Sequence, residues 1–522
     1  MRFNLIEEQW IPVKRRDGAE VKIAPWQITD GYADNPVVAL TASRPDFNGA
    51  LIQFLIGLVQ TIAAPADEDE WDNLLDSPPT PEDLKRKFMT VSHAFELSGD
   101  GPRFMQDLET LDIDQRRIDR LLIDMPGEKA LRDNTDHFVK RDTIACMCPA
   151  CCATALFAMQ TNAPAGGVGF RTSIRGGGPM TTLVMGAGPY ETLWHLVWLN
   201  VLEDGVFLRN CGNPDKISDG DKFPWLRETR TSERVSPSVE TTPSDVHPSQ
   251  IFWAMPRRIR LSLEGLKGGV CGTCGASSEW LINAYQDKNY GPNYVGAWLH
   301  PLSPHWRDKE GMPFPVHAQA GGVTYRHWLG FVQEDGSDNR EPAGILHRFR
   351  TERQRNDWQF RLWAFGYDMD NMKARCWYEA KMPLLYVDQA IREAYEQYVA
   401  AMIKAAVEIA KNVRNTVKEA WFKRPGDVKG DTRFVYSSFW QNTEPAFYAA
   451  LHRLKEVLDA GEDGMNVRKD WHDSLCRTAL ELFDSHAWEG PIEDADPKRV
   501  VLARRELERY NRSKRIKELL GL

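Results

Sequence analysis

Four cysteines carry the clearest chemistry in this chain. Cys148 and Cys151 are separated by Pro-Ala, and Cys271 and Cys274 by Gly-Thr. Two residues between cysteines place both thiolates on one tight turn, which is half of a tetrahedral metal site. The second pair lies in Gly-Gly-Val-Cys-Gly-Thr-Cys-Gly and has the look of a zinc knuckle. Cys146 and Cys152 flank the first pair and compete with it as ligands. The two pairs are far apart in sequence, so they must meet through the fold. Four thiolates leave no open position for water, so a Zn2+ held by both pairs is structural rather than catalytic. The alternative is a set of ordinary buried cysteines. Neither pair clearly sits between a strand and a helix in the manner of a thioredoxin-like redox motif.

A second group of residues follows the first pair. Ala165, Gly166, Gly167, Val168 and Gly169 form a glycine-rich loop, with Arg171, Arg175 and three more glycines beyond it. No Gly-Lys-Ser/Thr follows and the spacing is not Gly-x-Gly-x-x-Gly, so nucleotide cradles are poor readings. Bare backbone can approach another backbone closely and can lie in a nucleic-acid groove, where base-edge readout on the minor side is permissive. Arg171 and Arg175 are candidate phosphate contacts. A flexible turn is the alternative.

No residue set assembles a nucleophile, a base and an orienting group, so no catalytic residues are assigned. Metalloprotease, hydrolase, kinase and P-loop signatures are absent. The 12 histidines are dispersed, and His472-Asp473 reads as a surface pair within a helix.

The elements that must position these residues change character near Pro383. The fold class is α+β: a large mixed N-terminal domain over 1–382 with a zinc-knuckle-like element, then a four-helix bundle over 383–522. In the first part, Phe3–Val13 and Ile259–Leu263 read as strands, Gly49–Thr61 and Tyr190–Leu202 as helices, and 210–250 as loop. In the second part, helices are expected over roughly Val387–Lys423, Asp431–Asp459, Asn466–Trp488 and from Asp496-Pro497 onward, an N-cap followed by a first-turn proline. Amphipathic helices joined by Gly/Pro loops favour a bundle.

The 522 residues carry a formal charge of −9, which argues against a general DNA-coating protein. Charge is uneven. Residues 66–87 are acid-rich, whereas Lys498 to Glu518 holds nine basic residues against three acidic ones. That basic run reads either as a binding surface or as a solvated helix face. No long apolar N-terminal region suggests a signal peptide, and no apolar run is long enough to suggest a membrane span. Reduced cysteines and a cytoplasmic location follow as expectations.

Several blocks occur in an informative order: Asn4-Leu-Ile with Trp10-Ile-Pro-Val, Phe104-Met-Gln, the first Cys-x-x-Cys with its apolar run, Ala163-Pro164 and Gly166–Phe170, Arg175-Gly-Gly-Gly-Pro-Met-Thr-Thr, then the second Cys-x-x-Cys. Over essentially the whole chain this resembles the large-subunit (CasA) family of Cascade, the type I-E CRISPR surveillance complex. The resemblance implies a non-catalytic subunit near the 5′ end of the guide RNA, bound to other Cascade subunits. It implies recognition of the protospacer-adjacent motif in double-stranded target DNA, help in duplex opening, retention of the displaced strand, and a docking platform for the recruited helicase-nuclease. Protein would read the motif and guide pairing the sequence, as in single-protein RNA-guided nucleases.

The family's glycine loop falls on Ala165–Gly169, with Val168 at a position where the family has glycine. Its lysine finger precedes the second cysteine pair, where this chain has Val270, with Lys267 three residues earlier. Its wedge glutamine falls on Arg348 in His347-Arg-Phe-Arg350, where arginine would stack and attract phosphate. Arg350 is taken as a further phosphate contact. Phe138 matches the phenylalanine near the guide end. A zinc-stabilised nucleotide-processing enzyme and a pure scaffold are the competing classes.

Overall fold

The structure is a computed structural model that describes all residues except 127–130, 135–142, 234–238, 337–338, 356–358, 371, 428–431 and 489–495. Two compact units share the chain. The first comprises Met1–Ala318, Pro342–Glu352 and Phe360–Glu379. The second comprises Gln319–Glu341, Arg353–Gln359 and Ala380–Leu522.

The first unit mixes small antiparallel sheets with helices. β1 (Ile11–Arg15) lies between β2 (Glu20–Ile23) and β3 (Val37–Leu40). The strand expected over Phe3–Val13 begins only at Ile11. The Asn4 side chain accepts hydrogen bonds from the Ile6 and Glu7 amides at 2.9 and 3.3 Å, and this local turn displaces extended pairing.

Helix α1 (Pro45–Ile62) is buried nearly all round, so it serves as the core's axle. Its Phe54 meets Trp10, Phe95, Phe104, Phe157 and Trp253 edge-to-face, at centroid distances of 5.5–5.9 Å. Phe157 belongs to α2 (Pro149–Asn162), which packs on α1. The site cysteines Cys148 and Cys151, at the start of α2, are thus anchored to the core through that helix. The Tyr190–Leu202 helix is shorter than expected, covering Leu193–Trp198.

Six more strands frame the site. β4 is Thr181–Gly186, β5 Arg258–Leu261, β6 Lys267–Val270 and β7 Ser277–Leu281. β6 and β7 form an antiparallel hairpin. β8 (Ala284–Lys288) follows directly and pairs with β5 on one side and with Arg116–Arg117 on the other. β9 (Phe360–Asp370) pairs antiparallel with β4.

The second unit is mainly helical. Its helices are α3 (Gln389–Trp421), α4 (Arg433–Asp459), α5 (Met465–Ala487), α6 (Pro497–Asn511) and the short α7 (Lys514–Leu519). α3 packs against α4, α5 and α6 through a stripe that includes Tyr395, Met402, Ile409 and Val413. Tyr325 stacks on Phe447 at 4.3 Å and bonds Thr443 at 2.7 Å.

The basic C-terminal run is largely spent within this unit. Asp484 and Glu508 take Arg504, Glu506 takes Arg509, Glu408 takes Arg515, and Glu518 takes Lys514. Arg499 donates to the carbonyls of Ala420 and Trp421, the unsatisfied end of α3. These contacts favour the solvated-face reading. No helix among the described residues is long and apolar enough to cross a membrane.

Candidate metal centre and glycine loop

The fold brings the two cysteine pairs together. The sulfurs of Cys148, Cys151, Cys271 and Cys274 all lie within 4.8 Å of one another, and Cys148 Sγ is 3.9 Å from Cys274 Sγ. That separation is close to the edge of a tetrahedron with metal–thiolate bonds of about 2.3 Å, roughly 3.8 Å.

Cys148 is the residue before α2 and Cys151 lies in its first turn. The positive end of the helix dipole therefore faces both thiolates. The Cys148 amide donates to Cys271 Sγ at 3.3 Å. Backbone ties hold the two segments in register. Met147 and Ile282 exchange hydrogen bonds at 2.9 and 2.8 Å, and the Gly272 amide donates to Cys146 O at 2.9 Å.

The thiols of the cluster perturb one another strongly. Hydrogen bonds from Cys148 and Cys151 hold the Cys271 thiol well below its ordinary pKa. Cys151 is pushed up, first through its hydrogen bond to Cys148 and then through Cys271 and burial. Four thiolates at this spacing would need a metal ion to compensate their charge. The donor set fits one. Cys146 and Cys152 turn elsewhere: their sulfurs point to the carbonyls of Val270 (3.6 Å) and Met147 (3.8 Å), and burial raises Cys152 well above the usual thiol value.

The glycine loop grows from the C-terminal end of α2. Gly169 has φ +80, and a Cβ there would lie 2.7 Å from the Tyr290 ring. A Cβ on Gly166 would lie 2.3 Å from Phe170 Cβ. Both glycines are thus required by packing. Gly167 differs: it is exposed, and the nearest atom to a Cβ there is 4.0 Å away. Val168 is 71 % exposed. The loop's outer surface is therefore Ala165, the bare Gly167 and Val168. It is tied down from β8, whose next residues supply Tyr290 N to Gly169 O at 2.8 Å and Asn289 Nδ2 to Val168 O at 3.2 Å. The cysteine hairpin leads directly into β8, so clip and loop lie on one continuous support.

Phe170 anchors the loop from inside. Its ring lies under two guanidinium groups, Arg257 at 5.1 Å and Arg116 at 5.4 Å. Arg257 also donates to Pro164 O at 2.5 Å, while Gln160 of α2 bonds its backbone at 2.9 and 3.0 Å. Asp287 of β8 lies 3.6 Å from Arg116. Burial pushes the Asp287 carboxyl up to about 6, against the pull of Arg257 and Arg116. Sequence reasoning missed these four residues. A signal was present: Arg-Arg-Ile occurs at 116–118 and again at 257–259, each at a strand.

The remaining expected residues are dispersed. Arg175 is a correction: it is 2 % exposed, with its guanidinium held by Gln53 (2.5 Å), Thr181 (3.1 Å) and Ser303 (3.1 Å). Burial pulls its pKa down to about 9. A group so enclosed does not reach phosphate; it ties α1 to β4. Arg175→Ala is expected to cost about 2–4 kcal/mol, because three buried acceptors lose a donor. Urea unfolding checks this, and an unchanged midpoint would contradict the structural role.

Arg171 is half-buried and donates to Ser232 Oγ at 2.9 Å. Lys267 is exposed on β6, and Val270 is 61 % exposed on the same strand. Arg348 is bonded to the buried Glu203 at 3.1 Å and paired with Glu352. Arg350 is half-buried beside it. Phe138 lies outside the described residues.

Comparison with known proteins adds a family match and a set of similar folds. Residues 4–482 match the family described as CRISPR-associated protein Cse1. The structure of Thermus thermophilus CasA (Cse1) is similar with a TM-score of 0.68 at 16% identity, covering 100% of this chain and 99% of that one. Thermobifida fusca Cse1 gives 0.71 at 18% identity, covering 100% and 98%. A chain of a structure described as a CRISPR RNA-guided surveillance complex gives 0.70 at 15% identity, covering 98% and 100%.

Proposed function

The chain belongs to the CRISPR-associated Cse1 family, and from that membership we propose that it is the non-catalytic large subunit of a type I-E CRISPR surveillance complex. In this reading it acts in the cytoplasm as a component of antiviral defence. It binds other Cascade subunits and the guide RNA 5′ end, recognises the protospacer-adjacent motif in duplex DNA, promotes R-loop formation, and docks the helicase-nuclease. Residues 1–382 would read DNA, and 383–522 would form a four-helix bundle. The observation that carries the motif-reading assignment is the exposed backbone at Gly167, held out on a loop whose other glycines are packed against Tyr290 and Phe170.

Zn2+ held by Cys148, Cys151, Cys271 and Cys274 would be structural. The chemistry it supplies is charge compensation for four thiolates at the base of the β6–β7 hairpin. Lys267 and Val270 on that hairpin are exposed, which suits the family's finger position. Arg171 and Arg350 are the phosphate candidates retained from the sequence, and Phe138 the one near the guide end.

Arg348 is the wedge candidate. Its pairing with buried Glu203 means that truncation also costs local stability. The expected result for Arg348→Ala is weaker binding of the assembled complex to intact motif-bearing duplex, restored on a duplex mismatched beside the motif. An equal defect on both duplexes would reject the wedge. The reading as a whole is tested by a binding screen of the assembled complex on a motif-randomised duplex library.

A further inference from the structure

Beside the glycine loop lies a charge arrangement that assigns a DNA contact to a residue outside the glycine loop, the finger and the wedge. Arg116 pairs across from Tyr285, and Asp287 lies two residues further along β8, so both face the same side of the sheet. Arg257, two residues before the position opposite Asp287, completes the group. Two guanidinium groups thus share one carboxylate, which leaves a net positive charge.

Exposure decides which arginine presents it. Arg257 is 7 % exposed and spent on Pro164 O. The Arg116 side chain is 40 % exposed. Of the neighbouring arginines, Arg258 bonds Asp107 at 2.5 Å and Glu109 at 3.0 Å, and Arg171 donates to Ser232 at 2.9 Å. The planar Arg116 group is braced by the Phe170 ring and by Asp287, so little orientational freedom is lost on binding. Phe170 is itself only two residues from the exposed Val168.

We propose that Arg116 is a phosphate contact that anchors duplex DNA beside the glycine loop. The proposal rests on the reading of Ala165–Gly169 as the motif-reading surface. Phe170 and Asp287 act through Arg116 and are positioning residues. A phosphate contact sets register and affinity without reading sequence, so its loss should show in the salt dependence and not in the choice of motif.

The test uses the assembled complex carrying wild-type chain, Arg116→Gln, Arg116→Lys or Gly167→Leu. Equilibrium binding to motif-bearing and motif-free duplexes is measured across salt concentrations. Arg116→Gln is expected to weaken both duplexes alike and to reduce the slope of log K against log salt by about 1. The wild-type advantage then shrinks about threefold for a fourfold rise in salt. Arg116→Lys, which keeps the charge, should keep the slope. An unchanged slope in Arg116→Gln, in complexes that assemble normally, overturns the proposal. So does a Lys variant as flat as the Gln one, which would make the role one of packing. Failure of the loop reading appears on a different axis, as motif discrimination unaffected by Gly167→Leu. A reduced slope in Arg116→Gln alongside that result supports the phosphate contact and removes only the loop.

Discussion

Replacing Gly167 with leucine is expected to lower the affinity of the assembled complex for motif-bearing duplex at least about tenfold, with Tm unchanged. The two halves of this expectation have separate causes. The nearest atom to a Cβ at Gly167 is 4.0 Å away, so the folded loop accepts a side chain there. What the substitution removes is the bare backbone that the loop presents outward. An isobutyl group holds two backbones apart by several ångströms, and a loss of about 1.4 kcal/mol already gives tenfold. Gly169→Leu is the contrasting variant. It forces a side chain into φ +80 and into the Tyr290 ring, so it should lose stability as well as binding. If Gly167→Leu binds as wild type does, groove approach by this loop is wrong, and the glycines serve packing alone.

The second large effect concerns the cysteines. Purified, carefully reduced chain is expected to hold about one zinc, and Cys271→Ser to hold none. Cys146→Ser and Cys152→Ser should retain the metal, because those sulfurs face backbone carbonyls outside the cluster. The loss in Cys271→Ser should cost several kcal/mol, since structural zinc binding in isolated fingers is worth about 10–16 kcal/mol. The damage should also travel. The hairpin joins β8 through Ile282, which is bridged to Met147, and β8 leads to the Tyr290 amide that holds Gly169. Metal-free protein should therefore show faster hydrogen exchange at Tyr290 as well as at the hairpin. Metal analysis that finds none in the wild-type chain would reject the site.

Much of this was legible in the sequence, and the parts that were not share a cause. Cys-x-x-Cys spacing is local chemistry, so both pairs could be read directly. Their meeting depends on the Met147–Ile282 bridge, which no local pattern announces. The long C-terminal helices follow from apolar periodicity and caps such as Asp496, which accepts from Lys498 N and Arg499 N. Charge was the weaker guide. Arg175 looks like its neighbour Arg171 on paper, yet it is enclosed by Gln53, Thr181 and Ser303. The arginine that faces outward, Arg116, lies far from the loop in sequence. Its relation to Phe170 exists only because Arg116–Arg117 and β5 flank the same strand.

The central claim, that the exposed loop reads a short DNA motif, is tested most directly by a motif-randomised binding screen with the assembled complex. The wild-type chain should enrich a restricted set of motifs beside the target, and Gly167→Leu should flatten that enrichment while complex assembly is preserved. Identical enrichment with both chains, or no enrichment with the wild-type chain, would contradict it.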